Sequence, residues 1–131
     1  MKRFSVKTLA RAQMVDITSR VQEAVEAMGM KAGAVTVFVP HTTAGVTINE
    51  NADPSVRRDL QYALERLVPA DLPFSHREGN ADAHVKASLV GSSVVVPVEE
   101  GSLALGTWQG IFFAEFDGPR RRRLVVRLLN D

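Results

Sequence analysis

The sequence predicts an α+β domain in which an antiparallel or mixed β-sheet carries helices packed on one face. Two observations point to this. Strand-like and helix-like periodicities are interspersed without strict β-α-β alternation, and the last third reads as a meander of strands. With 131 residues, one core is ordinary and a second would be too small, so residues 1–131 are read as a single domain.

Residues 3–9 alternate, with Phe4 and Val6 on one face, and form a first strand. Ile17, Val21, Ala24, Val25 and Met28 follow the helical period. Ser19 with Gln22 resembles a capping box, and Gly29 is a suitable stop. Residues 34–39 form a strand, and 45–49 another after the break at Pro40. A second helix begins with Asp53 as cap and Pro54 in its first turn, and Val56, Leu60, Ala63, Leu64 and Leu67 make its stripe. Pro69 and Pro73 flank a loop running to about Asn80, and a short helix over 81–90 ends at Gly91. Val94 to Val98 form a strand in which Pro97 calls for an edge or a bulge. Two closing strands, 107–117 and 122–129, join through the turn Asp117-Gly118-Pro119.

The chain has no cysteine, which excludes disulfides and thiolate metal sites. Sixteen basic and fifteen acidic residues leave a formal charge of +1, too small for a global field that steers the chain onto nucleic acid or anionic membrane. No apolar run approaches the roughly 20 residues of a membrane span, and Met1-Lys2-Arg3 opens no secretory signal. A soluble, cytoplasmic protein is the expectation.

Three segments concentrate the polar chemistry. In the first, PHTTAGVTINENADP over residues 40–54, His41 follows a strand directly, and Thr42, Thr43 and Gly45 suit an anion or a phosphate. Thr47 and Asn49 share the polar face of the next strand; local threonine hydrogen bonding in a turn is the plain alternative. The second, SHREGNADAHVKAS over residues 75–88, holds His76 in a loop and His84 on a helix, with Asn80 one turn before His84. Three imidazoles without cysteine suit zinc or another first-row metal at a site with an open position, although the His76 to His84 spacing matches no standard metal signature. The third is GTWQGIFFAEFDGPRRRR over residues 106–123. Alternation puts Gln109, Ile111, Phe113, Glu115 and Asp117 on one face, where buried carboxylates need a metal or an arginine drawn from Arg120 to Arg123. As a nucleic-acid signal the arginine run is weak, because alternation sends its members to opposite faces.

Together HTTAGVTINENADP, GNADAHVKASLVG and GTWQGIFFAEFDGPRRRR, in that order, resemble the YjbQ family over nearly the whole chain. The resemblance implies a YjbQ-like sheet-and-helix fold, a homotrimer with sites near subunit boundaries, and a histidine-lined pocket for a divalent metal or an oxyanion. It also implies a weak thiamine-phosphate synthase activity, joining hydroxymethylpyrimidine diphosphate to thiazole phosphate with release of pyrophosphate. In that reading His41, Glu115 and Asn80 serve catalysis, while Thr42, Thr43, Asn49, Gln109 and Arg120 bind the substrate's anionic groups. His41, His76 and His84 hold a zinc-like metal, or magnesium arrives with the diphosphate on carboxylates such as Asp53, Glu115 or Asp117. The competing expectation is a trimeric, non-catalytic protein that captures a small anionic metabolite or a metal.

Overall fold

The computed structural model describes residues 1–129, in which three helices and eight strands alternate irregularly. Their order is β1 (Lys2–Lys7), β2 (Gln13–Asp16), α1 (Thr18–Ala27), β3 (Gly33–Phe38), β4 (Ala44–Glu50), α2 (Pro54–Leu67), α3 (Ala81–Val90), β5 (Ser93–Glu99), β6 (Ser102–Leu103), β7 (Gln109–Glu115) and β8 (Arg121–Leu129). The strands form two sheets, β1-β8-β3-β5-β6 and β2-β7-β4, and every pairing is antiparallel. Of the two predicted sheet types, the antiparallel one is present, divided into two layers. The short strands β2 and β6, with four and two residues, escape a periodicity reading because neither spans enough alternations to register.

β7 lies between two cores. Its Ile111 and Phe113 meet Val6, Val35, Val37, Val96, Leu124 and Val126 of the larger sheet, with Val21 and Val25 of α1. Its Phe112 and Ala114, with Phe116 just beyond its end, pack instead with Met14, Ala83 and Ala87, beside Leu60 and Leu64. Each buried Val, Leu, Ile, Phe or Met among them contributes on the order of 1.5–3 kcal/mol. The apolar character of both β7 faces is therefore satisfied within one chain. β8 alternates instead: Arg122, Leu124 and Val126 are buried, while Arg121, Arg123 and Arg127 are exposed.

The ends of α1 differ from expectation on one side. Ser19 and Gln22 form no capping box, since the helix starts a residue earlier and Asp16 accepts from the Thr18 amide at 3.0 Å and the Thr18 hydroxyl at 2.6 Å. Gln22 is thereby free to bind Gly101 O at 3.0 Å and the Leu103 amide at 2.9 Å, which fastens β6 to the helix. At the other end Gly29 takes φ +69°, as the stop requires. In α2, Asp53 caps by accepting from the Ser55 amide at 2.9 Å, and Pro54 opens the helix. None of the α2 residues is buried, and Leu67 at the end of its stripe is 71% exposed. Pro97 lies where β5 faces the two-residue β6, a side on which its missing N–H costs little.

α3 spans 81–90 as predicted and buries Asp82 and Lys86, which pair at 3.0 Å one turn apart. Arg11 adds a two-pronged contact to Asp82 at 3.0 and 3.2 Å, and Glu65 of α2 takes Lys86 at 3.0 Å. The end of α3 presses on β4 at Gly45. There an added Cβ would lie 2.5 Å from Gly91 O, and the Val46 amide donates to that oxygen at 3.0 Å.

Candidate functional site

Three chain reversals meet at one end of the two sheets: the β3–β4 loop, the β7–β8 turn and the segments flanking α3. Between them lies a cavity of about 690 Å³, lined among others by His41, Thr43, Asn80, His84, Arg120 and Arg122. A neighbouring cavity of about 490 Å³ shares His41, Thr42, His84 and Ser92 with it. Residues 41–43, Asn80, His84, Asp117 and Arg120, drawn from all three sequence segments, are thus brought together.

The floor of the first cavity is Arg122, 3% exposed. Its Nε donates to Glu115 at 2.8 Å, and its Nη2 pairs with Glu115 and donates to the Thr43 hydroxyl at 2.8 Å and to Thr43 O at 3.3 Å. Nη1 makes no hydrogen bond among the described residues, and Arg122 lines the cavity. Glu115 is 0% exposed and also accepts from the Thr8 hydroxyl at 2.7 Å and the Asp117 amide at 3.0 Å. Burial opposes its charge, but the bonds from Arg122, Thr8 and Asp117 outweigh burial and hold its carboxyl below the usual range. Expected as a catalytic group, Glu115 is instead the counter-ion that positions Arg122. Sequence alternation called for such an arginine, and only the inward phase of β8 identifies which one.

His41 accepts the Arg123 backbone N–H on Nε2 at 2.8 Å, so the neutral ring carries its proton on Nδ1. Partial burial, with Arg122, Arg123 and Arg120 nearby, lowers its pKa against the opposing pull of Glu115. His84 faces both cavities, and the His76 ring stands edge-on to it at 5.3 Å between centroids. His76 leans toward Glu78 at 3.7 Å. The expected three-histidine metal site does not fit this arrangement. Among the described residues no three His, Asp or Glu side chains are grouped to hold an ion. The Arg123 amide occupies Nε2 of His41, and a metal on Nδ1 would place a proton on Nε2 facing that N–H.

The remaining predicted residues divide. Arg120 lines the cavity and is braced by Asp117, through Asp117 O at 2.8 Å and its carboxylate at 3.2 Å. Asn80 donates to the same carboxylate at 2.9 Å, and its own Oδ1 is buried without a partner among the described residues. Asp53 is spent on capping α2. Asn49 and Gln109 are not brought in. The ladder pairs Ala44 with Glu115 and Glu50 with Gln109, so they stand at the opposite end of β4 and β7, roughly 20 Å away for strands of this length. Asn49 accepts from the Glu50 amide at 2.7 Å, and Gln109 from the Gly106 amide at 2.8 Å.

The family model described as UPF0047 protein YjbQ-like matches residues 2–131. UPF0047 protein MJ1081 of Methanocaldococcus jannaschii is 51% identical over 129 residues, covering 98% of this chain and 94% of that protein. UPF0047 protein YugU of Bacillus subtilis is 46% identical over 130 residues, covering 98% of each. Among solved structures, an uncharacterized YjbQ/UPF0047 protein from Clostridium acetobutylicum superposes with a TM-score of 0.96 at 50% identity, covering 98% of this chain and 100% of that one. The conserved hypothetical protein TT1486 of Thermus thermophilus gives 0.92 at 45% identity, covering 98% and 100%.

Proposed function

We infer the function from the premise that the chain belongs to the YjbQ-like UPF0047 family and carries a cavity built for an oxyanion: it binds a small phosphorylated metabolite. One observation carries this reading. A guanidinium that is almost wholly buried and locked on two of its nitrogens by Glu115 and Thr43 lines the cavity, with its third nitrogen unbonded among the described residues. Such a donor is fixed before the ligand arrives, so little ordering opposes binding. Arg120 adds a second charge at the rim, and neutral His41 can donate from Nδ1 without adding a third.

The candidate reaction is the joining of hydroxymethylpyrimidine diphosphate to thiazole phosphate. The carbon–oxygen bond to the diphosphate breaks as the bond to the thiazole forms, and the charge that collects on the departing pyrophosphate falls to Arg122 and Arg120. A magnesium ion carried in by the diphosphate would meet the oxygens of Asp117 and Glu78, both of which line the cavity. The protein acts in the cytoplasm as a homotrimer, and the exposed end of the α2 stripe at Leu67 supports a contact between subunits.

Calorimetric titration with pyrophosphate tests the reading. We expect micromolar to millimolar binding, weakened about tenfold or more by Arg120→Gln, because a charge-assisted hydrogen bond is lost. No heat at millimolar pyrophosphate overturns it. Light scattering of the same preparation reads the trimer's mass. Turnover of the two thiamine precursors that survives unchanged in His41→Ala and His84→Ala removes the histidines from catalysis, whereas no turnover by the unaltered protein leaves a binding protein.

A further inference from the structure

The outer face of the five-stranded sheet carries a charge pattern that local sequence does not reveal. β1 runs antiparallel beside β8, with Lys7 opposite Arg121, Ser5 opposite Arg123 and Arg3 opposite Val125. Alternation buries Val6, Arg122, Leu124 and Val126 and leaves Arg3, Lys7, Arg121, Arg123 and Arg127 together on the exposed side. Alternation within the run 120–123 does separate neighbours, yet pairing with β1 and continuation to Arg127 gather five cations on two adjacent strands. None has a carboxylate within ion-pair distance among the described residues. Glu99, the acidic member of this face, lies on β5, two strands beyond β8.

Like charges directly opposite across a ladder destabilise a sheet, so this stripe works against the fold unless an anion meets it. On β8, Arg121 and Arg123 stand about 7 Å apart and Arg127 about 13 Å further along, past Val125. Beside them on β3 stands Phe38, 41% exposed and paired with Val125, at the margin where the sheet meets the oxyanion cavity. Four of the five cations are arginines, whose planar forks grip phosphate and stack on bases. We propose that this face binds single-stranded nucleic acid, with phosphates along Arg3, Lys7, Arg121, Arg123 and Arg127 and a base against Phe38. An exposed sheet face with an aromatic suits unpaired bases, whereas a duplex groove admits only a helix or a two-stranded ribbon. The proposal does not depend on what the cavity binds.

The test is fluorescence anisotropy of a labelled 20-nucleotide oligouridine with the full chain, over 50 to 300 mM NaCl. Three to five neutralised phosphates predict a slope of log affinity against log salt between about −2 and −3.5. The triple change Arg3→Gln, Lys7→Gln, Arg127→Gln, outside the cavity, should weaken binding at least tenfold at 50 mM and flatten the slope by about 2. An unchanged circular dichroism spectrum shows that the variant is folded; should it not be, the single variant Arg127→Gln carries the test with a proportionally smaller loss. Absence of oligouridine binding at 50 mM overturns the proposal, as does equal binding by the variants. Self-association that the triple variant abolishes also overturns it, by assigning the face to a second copy of the chain.

Discussion

Changing Glu115 to Gln would leave the Arg122 guanidinium buried beside a neutral amide. Removing one partner of a buried pair costs about 3–5 kcal/mol, because the survivor's charge has lost its compensation. Urea unfolding of Glu115→Gln should therefore show a midpoint far below wild type, and pyrophosphate affinity should fall with it as Arg122 loses its anchor. A midpoint near wild type would mean that Arg122 is held chiefly by Thr43. At this scale the sequence was partly legible. Alternation put Glu115 among apolar residues and demanded a cation, but the choice among Arg120 to Arg123 depends on the phase of β8 against β1 and β3. His41 and His84 were recognisable as candidates, and both line the cavity. That a main-chain amide 82 positions away occupies Nε2 of His41 is a tertiary fact with no local trace.

Between elements, β4 and the end of α3 approach closely at Gly45. In Gly45→Ala the new methyl would meet Gly91 O at 2.5 Å, a backbone atom that cannot step aside alone. Either the strand or the helix end must retreat, at a cost of roughly 1–3 kcal/mol. Thermal melting should register that loss as a drop of several degrees, and an unchanged melting temperature would show that the contact yields easily. Helices were easier to read than sheets. α2 and α3 were visible from Asp53-Pro54 and from the stop at Gly91, because caps and breakers are local chemistry. The division of eight strands between two sheets was not, since the antiparallel ladders β1–β8 and β3–β8 join residues from 87 to 124 positions apart.

Over the whole molecule, Asp82 ties the β1–β2 loop to α3, and Lys86 carries the tie onward to Glu65 on α2. Burial pushes the Asp82 carboxyl up, but hydrogen bonds from Arg11 and Lys86 overcome it and hold the pKa at about 2. The folded form thus binds fewer protons than the unfolded chain. Its contribution, on the order of 2 kcal/mol, is present above pH 4 and lost as pH falls toward 2. Glu115 shifts in the same direction. Asp82→Asn should be less stable at neutral pH and lose less on acidification than wild type, as read from urea midpoints at pH 7, 4 and 2.5. Parallel pH curves for the two proteins would contradict this account. β7 has a consequence of its own. With Phe113 set in one hydrophobic body and Phe112 in the other, it is a party wall, and neither room can be emptied without opening the next. Heat or denaturant should therefore find no half-molecule to preserve, and a partner that grips either layer lends its hold to both.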